Sequence, residues 1–424
     1  MRTIYSALFL LLTPFFVVRL CWRSRKLPAY RHRIAERFAV VPTPPKSQPC
    51  IWVHAASVGE FIAFKPIVDE MLSWGSHAVY ITTMTPTGSA RVVETYGERV
   101  GHSYVPYDIG FLISKFLHRV QPTLAIFVET ELWPNTLYHC KKQGVITLLA
   151  NGRLSEKSLR GYRRLSWLSR PMIASLSCSA IQYEADAQRF KTLGLNPETC
   201  LVSGSIKFDI ELNMHTIESA KFLYSQIQQG LPRKIFVAGS THKGEEEIIL
   251  SAYRQIKMSF PSCLLIMVPR HPDRFSEVAA LCESWGYKLA RRSDQQAPVM
   301  ETDVLLADTM GELLMLYGCS HVAFVGGSLI DRGGHNYLEA AAWGLPIISG
   351  PSTFNFAAIS DMLEQANAMF IADSDKLIAA EVLKLFSNEE LAKRKGLAGA
   401  KIVKQNRGAK AKLILLIKGL LNLQ

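Results

Sequence analysis

One acidic residue, Glu60, stands within the stretch IWVHAASVGEFIAF, residues 51 to 64, between two apolar segments. Ser57 precedes it by three residues, which is the spacing of a capping box, where a hydroxyl and a carboxylate bond each other's free backbone amides. A carboxylate that lies beside a bound hydroxyl group can also take its proton and act as a general base. Local spacing therefore leaves two interpretations of Glu60, a helix cap and a catalytic residue.

Two further acidic residues, Glu129 and Glu131, follow an apolar run in the stretch ETELWPN. Neighbouring carboxylates repel each other, and the sequence around them offers no obvious cation as a partner. A functional site therefore explains them better than surface decoration. Lys207, in SGSIKFD, follows another apolar run, and this pattern suits a solvated lysine as well as a functional one.

The stretch GGSLIDRGGHNYLEAAAWGLP, residues 326 to 346, is rich in glycine and polar residues. Its glycines lead into a helical pattern that begins at Asn336, so backbone amides and a helix N-terminus can converge on an anion. Glu339, one turn further on, can accept hydrogen bonds from the hydroxyls of a sugar. Tight turns followed by an Asn cap are the alternative interpretation, which leaves the two Gly-Gly pairs unexplained.

Two other loops carry weaker signals. Arg270 follows the apolar run CLLIMVP, where a guanidinium group suits phosphate, and a surface cation is the alternative. Met310, Gly311 and Glu312 begin another helical pattern in DTMGEL.

The stretch FVAGSTHKGEEE lacks the Lys of a P-loop, and no G-x-G-x-x-G motif follows a first strand, so a dinucleotide enzyme is not indicated. The eight cysteines form no C-x-x-C pair, and no pattern indicates a metal site.

The elements that position these residues are alternating apolar runs and amphipathic helical patterns. Two series of runs are typical of buried parallel strands: IWVHA, AVYITT, TLAIFVE, VITLLAN, SAIQY and CLVSG, then KIFVAGS, CLLIMVPR, DVLLAD, HVAFVGG, LPIISG and AMFIA. The pattern lapses between about 211 and 231. It predicts an α/β chain of two Rossmann-like domains that face each other across a cleft. Ligands bind beyond the carboxyl ends of such strands, which is where the polar loops fall.

The positive charge is concentrated at the N-terminus. The net charge is +12, and residues 1 to 46 hold nine Lys or Arg against one acid, Glu36, which accounts for eight of those charges. Nucleic-acid binding has the same charge signature, but the chain has no motif that reads nucleic acid. We therefore predict no nucleic-acid partner.

The uncharged stretch IYSALFLLLTPFFVV, residues 4 to 18, precedes this basic run. Its length lies between a signal-peptide core and a spanning helix, and no cleavage site follows, so we predict a retained anchor over residues 1–22. The basic residues hold the remaining chain in the cytoplasm and attract anionic membrane lipids. Because Pro14 interrupts the segment, single-pass and interfacial placement both stay open, and a buried helix is a third interpretation. The predicted domains cover 45–212 and 228–424.

The polar loops taken together resemble the lipopolysaccharide Kdo transferases (3-deoxy-D-manno-octulosonic-acid transferases). The matching stretches are SVGE, TTMTPTGS, ETELWPN, GSIKFD, AGSTHKGEEE, VPRHPDR, DTMGEL and GGHNYLEAAAWGLPIISGP. Tyr337 and the run Ala340 to Ala342 differ, since many relatives have Pro at some of these positions. The resemblance implies a GT-B fold and an inverting transfer of Kdo from a CMP-Kdo donor to a lipid A precursor, without metal or cofactor, at the cytoplasmic face of the inner membrane.

The resemblance also implies roles for single residues. Glu60 matches the general base, and Glu129 and Lys207 match positions that support the transition state. The CMP-binding segments match Pro269, Arg270, Met310, Gly311, Glu312, Asn336, Tyr337, Leu338 and Glu339.

The placement of Pro66 bears on the role of Glu60. Proline favours a first helical turn, so we expect the helix to start near Lys65, with Glu60 in a loop and no capping box. The alternatives to Kdo transfer are a GT-B enzyme that uses a UDP-sugar on a lipid, and a membrane-bound sugar-binding protein without turnover.

Overall fold

The computed structural model describes residues 2–25, 28–45, 47–228, 232–295 and 298–423, and it divides into two compact units. The first unit comprises Met1–Asp209 together with Arg407–Gln424, and the second comprises Ile210–Asn406. Each unit is built around its own parallel sheet.

In the first unit the described residues form one seven-stranded sheet with the strand order β3-β2-β1-β4-β5-β6-β7. The strands are β1 (Cys50–His54), β2 (Ala78–Thr83), β3 (Gly101–Tyr104), β4 (Pro122–Val128), β5 (Ile146–Gly152), β6 (Cys178–Ile181) and β7 (Cys200–Val202). All predicted runs of this half are confirmed as strands. The sequence does not indicate β3, because this edge strand reads GHSY and has no apolar run.

Eight α-helices accompany these strands in the described residues before Asp209. They are α1 (Arg2–Arg23), α2 (Val58–Ser73), α3 (Pro86–Tyr96), α4 (Gly110–Val120), α5 (Pro134–Lys142), α6 (Glu156–Arg164), α7 (Ser166–Ile173) and α8 (Glu184–Thr192). The apolar side chains of α2 and α3 pack in one core cluster, and those of α4, α5, α7 and α8 pack in another. The sheet is therefore buried on both faces, which is why its strands are continuous apolar runs rather than alternating ones.

The second unit has the strand order β10-β11-β9-β8-β12-β13-β14. The strands are β8 (Ile235–Thr241), β9 (Leu264–Pro269), β10 (Leu289–Arg291), β11 (Val304–Leu306), β12 (Val322–Val325), β13 (Ile347–Ser349) and β14 (Met369–Ile371). The six predicted runs are again confirmed, and the edge strand β10 is the one that the pattern misses. Both sheets are parallel throughout, which confirms two Rossmann-like domains.

The helices of the second unit are α9 (Met214–Ile227), α10 (Glu245–Ser259), α11 (Phe275–Ser284), α12 (Leu313–Gly318), α13 (Tyr337–Ala342), α14 (Ala357–Gln365), α15 (Asp375–Ser387) and α16 (Glu389–Asn406). Helix α9 occupies the part of the chain where the strand–helix pattern lapses. Residues 229 to 231, at the end of that lapse, lie outside the described residues.

The last helix, α17 (Ala409–Leu420), returns to the first unit. Ala409, Leu413 and Ile417 are fully buried in the core cluster that contains α2. Asp209 accepts hydrogen bonds from the Gly408 and Lys410 amides, each at 2.6 Å, and so caps the start of α17. The predicted second domain ran to residue 424, but these contacts end the second unit at Asn406. The partners of α17, Asp209 and the core residues of α2, lie far earlier in the chain. The sequence near residue 406 therefore gives no sign that the second domain ends there.

Candidate active site

The structure places Glu60 in the first turn of α2, which begins at Val58 and is capped by Ser57. The Ala56 amide donates to Glu60 Oε2 at 2.7 Å, and the Ser57 hydroxyl donates to Oε1 at 2.8 Å. The Ser57 cap therefore forms, with the Glu60 carboxylate bonded to the Ala56 amide where a standard capping box uses the amide of the cap residue, and the expectation of a helix start near Lys65 is wrong. Pro66 lies inside the helix, since the Ser57 cap and the burial of Phe61 and Phe64 hold the first turns helical.

Capping does not make Glu60 a strong acid. The pKa of Glu60 is raised to about 7, chiefly by burial and also by the charges of Glu131 and Glu129, against the lowering effect of its hydrogen bonds to Ser57 and Ala56. A helix N-terminus alone would favour the charged form, but here the cost of desolvating the charge is larger. Glu60 is thus a carboxyl group whose pKa lies near neutral pH, as a general base requires.

Glu129 follows β4 directly and is held by two cations. Its φ of 59° is left-handed, a strained backbone conformation for a residue other than glycine. Lys207 Nζ lies 3.3 Å from Oε1, and Arg153 Nε lies 3.1 Å from Oε2. The expectation that these acids lack a cationic partner is therefore wrong for Glu129, because its partners are distant in sequence and come from the loops after β5 and β7.

Glu131 completes a group of three carboxylates with Glu60 and Glu129. Burial and the neighbouring charge of Glu129 raise the pKa of Glu131. The structure thus brings Glu60, from the end of β1, together with Glu129 and Glu131 from the end of β4, and Lys207 and Arg153 join them. We call these five residues the carboxylate cluster.

In the second unit, the glycine-rich loop after β12 is organised by a buried acid, Glu245. Its carboxylate accepts hydrogen bonds from the amides of Gly327 (2.7 Å), Ser328 (3.0 Å) and Leu329 (2.9 Å). The His242 amide donates to the same carboxylate at 3.0 Å. Three of the loop amides thus converge on a carboxylate of the chain itself, so these three are not free for the anion of a ligand.

The end of this loop leads into α13. Asn336 caps the helix, since its Oδ1 accepts from the Leu338 amide at 3.2 Å, and its Nδ2 donates to Glu339 Oε1 at 2.9 Å. Burial raises the pKa of Glu339. Tyr337 and Leu338 have fully buried side chains, and the Tyr337 hydroxyl lies 2.9 Å from Ser349 Oγ. Among these predicted CMP contacts, Tyr337 and Leu338 can offer a ligand only their backbone.

Arg270 lies beside a cluster of imidazole rings. It follows Pro269, the last residue of β9, and its amide donates to the Thr241 carbonyl at 2.9 Å. His242 Nε2 and His335 Nε2 are 2.8 Å apart. Burial and the charges of Arg270 and the nearby His271 lower the pKa of His335 to about 3 and that of His242 to about 4. Both rings are therefore neutral at pH 7.

The segment Met310, Gly311 and Glu312 precedes α12. Met310 is half exposed, and Gly311 has a positive φ of 86°. Glu312 pairs with Arg292 Nη2 at 3.0 Å and accepts a hydrogen bond from the Thr309 hydroxyl. The predicted donor residues therefore follow β9, β11 and β12, the strand ends where open parallel sheets bind ligands.

Several contacts of these sites escape sequence reasoning. Arg153 and Glu245 act through partners that are distant in sequence, and Glu245 reads as one of three ordinary acids at a helix start. The His242–His335 pair joins two separate motifs. Among the described residues, no group of three His, Cys, Asp or Glu is placed to hold a metal ion, and the absence of a metal requirement stays a prediction.

The two Rossmann-like units define a GT-B fold, and solved structures share it. Over 88% of this chain, MurG from Acinetobacter baumannii has a TM-score of 0.55 at 12% identity, with 99% of that chain covered. A putative UDP-N-acetylglucosamine 2-epimerase from Listeria monocytogenes has a TM-score of 0.54 at 14% identity, with 88% of this chain and 96% of that chain covered. These likenesses establish the fold alone.

Sequence relatives establish the family. Residues 32–210 match the family described as 3-deoxy-D-manno-octulosonic-acid transferase (kdotransferase). The 3-deoxy-D-manno-octulosonic acid transferase of Haemophilus influenzae is 39% identical over 98% of both chains. That of Bordetella pertussis is 36% identical over 72% of both. The chain is a glycosyltransferase and belongs to the 3-deoxy-D-manno-octulosonic-acid transferase family.

Proposed function

We propose that this chain transfers Kdo from CMP-Kdo to a lipid A precursor, with inversion at the anomeric carbon and without a metal. Family membership supports the sugar. The observation that carries the mechanism is the near-neutral carboxyl group of Glu60, next to the Glu129–Lys207 ion pair. The family resemblance of the sequence implies catalytic roles for the same three residues.

Glu60 acts as the general base in this proposal. As the acceptor hydroxyl oxygen bonds to the anomeric carbon, its proton passes to a Glu60 oxygen, and the bond between the anomeric carbon and the phosphate oxygen breaks with its electron pair leaving on CMP. Each carboxylate oxygen has two lone pairs, so the hydrogen bonds from Ala56 and Ser57 leave capacity for the proton. Such proton transfer contributes about 10²- to 10⁴-fold to a rate.

Glu129 and Lys207 support the transition state. Their 3.3 Å contact fixes one negative and one positive charge at the strand ends, and Arg153 holds the second Glu129 oxygen. Charges that are already oriented stabilise developing charge without having to reorganise during the reaction. The left-handed backbone of Glu129 is consistent with a residue held for function.

The second unit binds the CMP moiety. Arg270 supplies a guanidinium group for the phosphate, and the neutral His242–His335 pair beside it can donate a hydrogen bond without adding charge. The predicted contacts from Met310, Gly311 and Glu312 and from Asn336 to Glu339 complete the donor site. For Tyr337 and Leu338 the contact is through the backbone.

The first helix attaches the enzyme to the cytoplasmic face of the inner membrane, where a lipid acceptor resides. Among the described helices, α1 alone is long and apolar enough to cross a membrane, with a mean hydropathy of 2.0 in its most apolar window. The basic residues that follow α1 add attraction to anionic lipid.

Mass spectrometry of the lipid product tests the function directly. Incubation with CMP-Kdo and a lipid A precursor should add the mass of one or more Kdo residues to the lipid, and Glu60→Gln should abolish this addition while CMP still protects the protein from thermal unfolding. Protection by UDP-N-acetylglucosamine and none by CMP would instead identify a UDP-sugar enzyme. Binding of CMP without any product from the unmodified chain would indicate a sugar-binding protein without turnover.

A further inference from the structure

Helix α1 is held against the first unit at its very start. Arg2 Nη1 lies 3.3 Å from Asn135 Oδ1 and 3.3 Å from His139 Nε2. Its guanidinium carbon lies 3.3 Å from the centre of the Tyr138 ring. All three partners belong to α5, so the first residue of α1 is attached to the folded unit by hydrogen bonds and a cation–π contact.

The attachment continues along one face of α1. Ser6 Oγ lies 3.2 Å from Asn135 Oδ1, Phe9 meets the Trp133 ring edge-on at 6.4 Å, and Phe16 stacks on Tyr107 at 6.0 Å. Arg2, Ser6, Phe9, Thr13 and Phe16 recur at helical spacing. One stripe of the helix thus follows the surface of the first unit over most of its length.

The opposite face of α1 is an exposed apolar stripe. Ile4, Leu8, Leu11, Phe15, Val18 and Trp22 are 62%, 59%, 78%, 61%, 65% and 64% exposed. They recur every three or four residues and therefore share one side of the helix. Soluble proteins rarely expose an apolar patch of this size without a partner.

A spanning arrangement conflicts with these contacts. A helix of 22 residues is about 33 Å long, close to the roughly 30 Å of bilayer hydrocarbon. If α1 crossed the bilayer, Arg2 would emerge on the side opposite the folded unit, yet Arg2 touches α5 of that unit.

We propose that α1 lies in the plane of the membrane, with its Ile4–Trp22 stripe in the lipid and its Arg2–Phe16 stripe on the first unit. This inference rests on the proposed membrane attachment and is independent of the donor and the acceptor. In this arrangement α1 contacts one leaflet of the bilayer. None of the described residues of α1 reaches the opposite side of the membrane.

Charge favours a bilayer over a second copy of the chain as the occupant of the stripe. Arg19, Arg23 and Arg25 lie at the C-terminal end of the stripe, and a second copy would offer them only the same cations and the same apolar side chains. Anionic headgroups neutralise them instead. Helix α7 also packs against α5. It carries an exposed Trp167, and Arg163 and Arg164 precede it, a combination of residues that suits the headgroup region of a membrane.

The in-plane helix also adjoins the carboxylate cluster. Phe9 contacts Trp133, which lies two residues from Glu131. A lipid-linked acceptor can therefore present its sugar to the cluster while its acyl chains stay in the leaflet that holds α1.

Cross-linking tests the arrangement in the full-length protein. With Cys21→Ser as background, because Cys21 is an exposed thiol, Arg2→Cys and Tyr138→Cys should be joined by a short thiol cross-linker on vesicles of phosphatidylethanolamine and phosphatidylglycerol. Leu11→Cys with Tyr138→Cys is the matched control and should not react, because Leu11 is 78% exposed on the other face. Loss of the first cross-link on vesicles, with retention in detergent, would overturn the proposal.

Spin labels at positions 4, 11 and 18 give a second readout that does not depend on the Arg2 contacts. In-plane placement predicts similar depths for all three labels. A spanning helix would separate positions 4 and 18 by about 21 Å along the membrane normal and place position 11 deepest, which would refute the proposal. Failure to bind vesicles, together with a dimer in solution, would show that a second copy covers the stripe and would refute the membrane as the partner.

Discussion

The Ser57 hydroxyl donates a hydrogen bond to Glu60 Oε1 across 2.8 Å, and the Glu60 amide points back to Ser57 Oγ at 3.4 Å. The same residue is therefore part of the cap at the start of α2, where its carboxylate also binds the Ala56 amide, and a buried carboxyl group with a pKa of about 7. The sequence presents a helix cap and a catalytic residue as alternative interpretations of Glu60. The two are compatible, because a carboxylate that accepts two hydrogen bonds still has free lone pairs. The cap orients the carboxyl group that we propose as the base.

The first prediction is a pH profile. Because the base must be deprotonated, transfer by the unmodified chain should rise with pH to a plateau, with its midpoint near pH 7. Glu60→Gln should lower kcat by about 10²- to 10⁴-fold and remove this rise. Rates measured at saturating CMP-Kdo check both effects. Unaltered turnover in the variant would exclude Glu60 as the base.

The second prediction concerns stability at the same residue. The folded-state pKa of Glu60, about 7, lies above its ordinary value of 4.5, so the folded protein binds this proton more tightly than the unfolded chain does. The contribution is fully present below pH 4.5 and is lost as pH rises through 7. Thermal unfolding at pH 5 and pH 8 should thus show a smaller pH-dependent loss in Glu60→Gln than in the unmodified chain. Equal losses would contradict the raised pKa.

Much of the fold follows from the sequence, since buried parallel strands must be continuous apolar runs. The two strands that the pattern misses, β3 and β10, lie at sheet edges and are short. The start of α2 is wrongly predicted because the rule for proline considers local backbone alone, whereas the Ser57 cap and the buried Phe61 stabilise a helix that includes Pro66. The Ser57 spacing is visible in the sequence, but the burial of Phe61 is tertiary packing, which a local pattern does not include.

The positions of the site residues at strand ends can be predicted from the sequence. The ion pairs and hydrogen bonds within each site cannot. Glu129 and Lys207 are each recognisable by position, but their ion pair joins residues far apart in the chain. Likewise, glycines in the loop after β12 suggest free amides, and only the structure shows that Glu245 binds three of them. The spacing of residues in the sequence does not show which side chains and amides bond each other in the folded protein.

The third prediction treats Glu129 and Lys207 as a pair. Lys207→Met should reduce kcat by about 10²- to 10³-fold, the range for removal of one preorganised donor that stabilises charge in a transition state, while CMP binding is retained. Since the two side chains are in contact, Glu129→Gln combined with Lys207→Met should cost much less than the product of the single effects. Lys191→Met, which removes a lysine whose ion pair with Glu184 lies outside the cluster, is the control. Multiplicative losses would show that the two residues act independently.

The fourth prediction concerns Glu245, which has no exposed surface and accepts four backbone hydrogen bonds. Glu245→Gln replaces one acceptor oxygen by a donor, so one or more amides lose their partner at about 1–3 kcal/mol each. We expect weaker CMP binding by calorimetry and a lower unfolding temperature. The exposed neighbour Glu247 is the matched control, and Glu247→Gln should change neither. If Glu245→Gln binds CMP with unchanged affinity, the order of the glycine-rich loop is irrelevant to the donor site.

The fifth prediction tests the return of α17 to the first unit. Leu413 is fully buried in the cluster that also holds Phe61 and Phe64 of α2, so Leu413→Ala should destabilise the protein by about 2–5 kcal/mol. Leu415, on the same helix, is 69% exposed, and Leu415→Ala should stay within about 0.5 kcal/mol of the unmodified chain. Because α2 carries Glu60, the Leu413 variant should also lose transfer activity at a lower temperature than it loses CMP binding, since the donor residues lie in the other unit. Hydrogen exchange resolves the two units, and faster exchange in α2 with unchanged exchange in α10 is the expected pattern. Equal destabilisation by both leucine variants would show that α17 does not pack on α2 in solution.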